Sequence, residues 1–180
     1  MLSVEEANSI LRNMTKSESL MRHMRSVQMV MEAYAEKYGQ DKRKWSIAGL
    51  LHDADYEAFP AQHPNIIVQK LRELGEEEIA HAISAHYTKW NVAYETLLDK
   101  ALLACDEITG FIIACCKVRP DGVSSLEPKS VIKKLKDKSF AAKVERDEVY
   151  KGLELLGVDM KDHIAFIIEV LKANKEELKI

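Results

Sequence analysis

Turn-forming residues are scarce in this chain: its 180 residues include only seven glycines and four prolines. A protein of many short strands needs more of both, so the composition favours long helices. No stretch alternates apolar and polar residues with the period of a half-buried strand. Long hydrophobic runs are missing too, and none approaches the roughly 18–20 residues a membrane span requires. The opening MLSVEEANSILRNM carries acids early and has no basic segment, so it does not read as a signal peptide. Cysteine occurs only at Cys105, Cys115 and Cys116, within one apolar segment. An odd, clustered set excludes a disulfide framework; it fits a reducing cytoplasm, with the thiols acting as small buried hydrophobes. The net charge of −3 argues against general nucleic-acid or membrane-surface binding. It conceals an asymmetry, because residues 117–143 hold eight Lys/Arg against three Asp/Glu, a balance of +5 that leaves −8 elsewhere.

What is present reads as an all-α chain, one domain in size. Ser3 and Glu6 have the spacing of a capping box and start a helix to about Met14. A second helix over Glu18–Tyr38 carries Leu20, Met24, Val27, Met31 and Tyr34 at three- and four-residue spacing and stops at Gly39. Asp41 caps a third that reaches His52. The aromatic loop 53–62 follows, then a helix with Pro64 at its first position and Gly75 at its end. A helix over 76–86, an irregular stretch YTKWNVAY and a long apolar helix from Thr96 to Val118 come next. The segment RPDGVSSLEPKS is linker-like. Helical patterns then run over 130–136, 147–156 and from Asp159 to about Glu177. The expected division is a core of residues 1–118, with helices of 119–180 packed on it.

Chemistry concentrates in a few places. Asp106 and Glu107 sit adjacent inside the apolar run ALLACDEITGFIIACC, and at about 100° per residue at least one faces inward. A buried carboxylate is paired, protonated or on a metal; a salt bridge is the plain alternative for Asp106. His52 and Asp53 follow the apolar Gly49-Leu50-Leu51 at a helix end, and His23 lies on the edge of an apolar helix face, where core histidines also occur. Together these give two imidazoles and two carboxylates, a mixed set suited to Fe, Mn, Co, Ni or Zn. His63 stands at a helix entry and His86 at a helix exit. His81 and His163 read as surface residues.

The order His23, His52-Asp53, Asp106 over helices, with the local text GLLHDADYE and HPNIIVQKLRELG, resembles the HD-domain superfamily of metal-dependent phosphohydrolases. ACDEITGF and KSVIKKLKDKSFA are similar to its small bacterial HDIG-type members. The resemblance implies an HD-like helical bundle with His23, His52, Asp53 and Asp106 on a first metal, and His63 and His86 with a bridging Asp53 on a second, so that one or two divalent ions are bound. One departure is Asp55, a third acid beside the pair. It is the nearest candidate for a proton shuttle beside Asp53, against a plain role in the loop. Lys133, Lys134, Arg119 and Arg146 are candidates for a substrate phosphate, although a lysine run is also an ordinary solvated face. Tyr56 and Trp90 can wall the pocket. The implied activity is a phosphomonoesterase or phosphodiesterase acting on a small phosphorylated metabolite or nucleotide through metal-activated water. The alternatives are a di-iron oxygenase-type protein of the same superfamily and a non-catalytic ligand-binding module.

Overall fold

The computed structural model describes residues 1–180 and is helical throughout, without a strand. It divides into two compact units, Met1–Leu102 and Leu103–Ile180. The division falls inside a helix, well before the linker-like stretch that follows residue 118.

The first unit holds α1 (Val4–Met14), α2 (Glu18–Tyr38), α3 (Lys42–Leu51), α4 (Asn65–Glu73), α5 (Glu77–His86), a 3-10 turn at Thr88–Trp90 and the start of α6 (Leu97–Lys117). Local chemistry sets most of these ends. The capping box of Ser3 and Glu6 forms, Ser17 caps α2, Asp41 caps α3, and Gly39 closes α2 at a φ of 64°. Pro64 is the residue before the first turn of α4 rather than within it. Asp99 starts α6: its Oδ2 accepts the amides of Glu95 at 2.9 Å and Thr96 at 2.8 Å, and the Nδ1 of His81 lies 3.2 Å away. His81 is therefore a partner of a buried acid, not a free surface residue.

Helices α2 and α3 form the spine of this unit. Met24, Val27, Met31 and Tyr34 of α2 and Ile47, Leu50 and Leu51 of α3 are fully buried. Each such side chain contributes about 1.5–3 kcal/mol when removed from water. What sets their separation is Gly49. A Cβ there would lie 2.8 Å from the Gln28 Cα and 2.9 Å from its N, backbone atoms that cannot swing aside. Beside this crossing, the Gln28 side chain donates to Ser46 Oγ at 2.8 Å and to Glu32 at 3.2 Å, and Ser46 donates to Glu32 at 2.7 Å, so the buried polar groups are satisfied.

The second unit holds the remainder of α6, α7 (Pro128–Leu135), α8 (Arg146–Leu156), α9 (Met160–Ala173) and α10 (Lys175–Leu178). Here too a glycine sets a close crossing, since a Cβ on Gly152 of α8 would stand 2.5 Å from the Cα of Ala104 on α6. His163, read from sequence as a surface residue, is buried on α9 among Ile164, Ile167 and Leu171, with its Nε2 2.8 Å from the Ala104 carbonyl oxygen. Glu107, beside Asp106, accepts the Glu145 amide at the start of α8 at 2.9 Å. All three cysteines are buried and free; burial pushes the Cys115 and Cys116 thiols up to about 11, and Cys105 higher still. They are core residues and poor nucleophiles.

Because the crossing of α2 and α3 has no room for a methyl group, Gly49→Ala should destabilise the chain by about 1–3 kcal/mol, the usual cost of overpacking. Denaturant unfolding followed by circular dichroism would show it as a lowered midpoint with an unchanged slope. An unchanged midpoint would mean that the helices separate freely there.

Candidate metal centre

Side chains from α2, the end of α3, the loop after it and the end of α5 meet at one place in the first unit. His23 comes from the second turn of α2, His52 caps the C-terminus of α3, Asp53 follows it, His63 lies in the loop before α4, and His86 is the last residue of α5. The loop is pinned to the α1–α2 corner. Thr15 Oγ1 donates to the Ala54 carbonyl at 2.9 Å, and one carboxylate oxygen of Glu57 accepts the amides of Lys16 and Ser17, each at 2.9 Å.

Two trios emerge. The ligand atoms of His23, His52 and Asp53 lie within 4.8 Å of one another, as do those of Asp53, His63 and His86. Asp53 belongs to both: its Oδ2 is 3.7 Å from His52 Nε2, while its Oδ1 is 3.3 Å from His63 Nε2 and 3.6 Å from His86 Nε2. The Nε2 atoms of His23 and His52 are 3.2 Å apart.

The outer nitrogens of three of these rings are tied back. His52 Nδ1 donates to the Gly49 carbonyl at 2.9 Å and His86 Nδ1 to the Ile83 carbonyl at 2.5 Å, each reaching back one helical turn. His63 Nδ1 donates to Asp55 Oδ1 at 2.7 Å. With Nδ1 as the donor, each neutral ring turns the lone pair of its Nε2 toward the shared centre. Lone pairs gathered this closely around a carboxylate fit a divalent transition metal, whose charge they would share. The two trios could therefore hold divalent metal ions.

Asp55 differs from its sequence-based role as a proton shuttle. It is fully buried, and its second oxygen accepts the Ile67 amide of α4 at 3.0 Å. With both oxygens engaged and no access to solvent, it orients His63 and ties that ring to α4. Around the centre stand aromatic rings. Tyr56 meets His63 edge-on at 5.4 Å, Tyr87 meets His63 at 5.3 Å, and Trp90 meets Tyr87 at 5.9 Å. Tyr56 is half exposed and Trp90 is 38% exposed, so this wall reaches solvent. Tyr87 was missed from sequence, where nothing but its neighbourhood to His86 marked it.

The remaining candidates lie in the second unit. Asp106 is buried on α6. Arg119, Lys133 and Lys134 line a cleft. Arg146, expected to meet a substrate phosphate, does not qualify. Its guanidinium donates to the carbonyls of Leu135 at 3.2 Å, Asp137 at 2.9 Å, Phe140 at 2.5 Å, Ala141 at 3.3 Å and Val144 at 3.1 Å, and it lies over the Phe111 ring. Every donor it has holds the chain between α7 and α8.

The family model of the HD domain matches residues 20–111, just over half of the chain. No curated protein and no solved structure matches it.

Because Asp55 accepts from both His63 and Ile67, Asn at this position must turn an NH2 group toward one of two donors. Asp55→Asn should weaken divalent-metal binding at the Asp53–His63–His86 trio about 10–100-fold, as loss of such an orienting partner does. Titration with Co(II), followed by its visible absorption, would measure it. Unaltered affinity would leave Asp55 with a purely structural part in the loop.

Proposed function

The chain belongs to the HD-domain family, and on that premise we propose that it is a metal-dependent hydrolase of phosphate esters, a phosphomonoesterase or phosphodiesterase for a small phosphorylated metabolite or nucleotide. The observation that carries this reading is the pair of ligand trios sharing Asp53, with the rings of His52, His63 and His86 already locked in the metal-binding tautomer.

Bound there, one or two divalent ions of the Fe, Mn, Co, Ni or Zn type supply a water acidified to near neutrality and neutralise phosphoryl oxygens. The chain's own residues do the rest. The imidazole Nε2 atoms hold charge without adding negative charge that would repel a phosphate. Asp53 joins the two trios and fixes their spacing through its two oxygens. Asp55 keeps the His63 proton on Nδ1, so that Nε2 remains a ligand. Tyr56, Tyr87 and Trp90 give the substrate an aromatic wall and limit water at the centre. The ligand set implied by the resemblance also includes Asp106, an assignment that rests on sequence.

Metal analysis of protein purified without chelator or added metal tests this directly, followed by phosphatase and phosphodiesterase assays with Mn, Fe, Co, Ni and Mg. Stoichiometric transition metal and release of phosphate or of a phosphomonoester are expected. Asp53→Ala should abolish metal binding and turnover together, and Asp106→Asn should weaken the first site. His63→Ala should lower the metal count without removing the first ion. Protein that takes up no transition metal would sink the proposal. Stoichiometric iron with oxygen uptake and no ester cleavage would replace hydrolysis by oxygen chemistry at the same ligands.

A further inference from the structure

The second unit carries a cleft of about 400 Å³ lined from the end of α6, from α7 and from the chain around them, with no member of the His–Asp trios in its walls. Its walls follow helix periodicity. Cys115, Val118 and Arg119 are spaced i, i+3, i+4 at and just past the end of α6, and Ser130, Lys133 and Lys134 have the same spacing on α7.

The electrostatics are one-sided. Three cations, Arg119, Lys133 and Lys134, face one acid, so the lining carries a formal +2. That acid is already engaged, since Asp137 accepts from the Ser139 amide at 3.0 Å and from its hydroxyl at 2.6 Å. Lys133 has no ion pair, and Lys134 lies over the Phe140 ring at 4.4 Å. Arg119 is anchored at one end only. Its Nη2 donates to Ser125 Oγ at 2.6 Å and to the Ser125 carbonyl at 3.2 Å, whereas its Nε has no hydrogen-bond acceptor and only a 3.7 Å ion pair with Asp121, which lies outside the lining. This is the opposite of Arg146, whose donors are all occupied by backbone. A guanidinium held at its tip beside two ammonium groups is the arrangement that receives a phosphoryl group.

We propose that this cleft is a binding site for a phosphate monoester with a small apolar body, its phosphate on Arg119, Lys133, Lys134 and the Ser130 hydroxyl and its body on Val118 and Leu126. Charge selects the phosphate. A monoester dianion carries about −1.5 to −2 at neutral pH and balances the lining, where a carboxylate would leave one positive charge over. The apolar lining residues Cys115, Val118 and Leu126 favour an organic ester over inorganic phosphate, and the volume admits a body of several carbon atoms.

The test uses the full chain and three probes, n-butyl phosphate, inorganic phosphate and hexanoate, by titration calorimetry without added metal. Butyl phosphate should bind the wild type most tightly of the three. It should bind the Asp53→Ala variant with unchanged affinity, because the metal centre takes no part. The double substitution Lys133→Glu with Lys134→Glu should weaken it at least tenfold, with the helical spectrum and the metal content intact. Val118→Asp, at an exposed position, should weaken butyl phosphate and leave inorganic phosphate nearly unchanged. The proposal is overturned if butyl phosphate does not bind, if hexanoate binds as well, or if binding vanishes in Asp53→Ala and survives the double lysine substitution. In that last case the anion belongs to the metal centre, whose own standing is read separately from metal stoichiometry.

Discussion

The approach of α2 to α3 at Gly49 is the constraint from which the centre follows. Backbone meets backbone there, so the two helices stand at a separation that no side chain adjusts. That separation fixes where the second turn of α2 and the C-terminus of α3 lie, and hence the 3.2 Å between the Nε2 atoms of His23 and His52. The same glycine contributes its carbonyl to His52 Nδ1. One residue without a side chain thus sets the distance between two rings and the tautomer of one of them. The geometry of a ligand set has to be held to fractions of an ångström, and rigid helices hold it better than loops do.

The loop from Asp53 to His63 depends on a different device. It lacks regular backbone pairing, yet Thr15, Glu57 and Asp55 tie it to the α1–α2 corner and to α4. Asp53 and His63, the two members of the trios it carries, therefore stand on a segment braced from both sides. The second unit uses a comparable economy, with a close glycine crossing at Gly152 and the chain between α7 and α8 gathered around Arg146.

Helix starts and stops were legible in the sequence because their chemistry is local. Ser3 with Glu6, Gly39 and Asp41 each act within a few residues of themselves, and each does what its type predicts. The convergence of His23, His52, Asp53, His63 and His86 was legible as a pattern, through order along the chain and resemblance. Roles set by distant partners were not. Asp55 reads as a free acid in a polar loop, and only the fold brings the Ile67 amide and the His63 ring to its two oxygens. His163 reads as a first-turn surface residue until the Ala104 carbonyl is found beside it. Arg146 reads as a cation available to a ligand, and nothing in its neighbours announces five carbonyls turned inward upon it.

That gathering of carbonyls has a dynamic consequence. The carbonyls of Leu135, Asp137, Phe140, Ala141 and Val144 share one planar group, beside local turn bonds such as Phe140 N–H to the Asp137 carbonyl, so displacing that group loosens several turns of the segment at once. The acid of the cleft, Asp137, belongs to that segment, so the cleft's shape is coupled to whether the guanidinium of Arg146 stays in place.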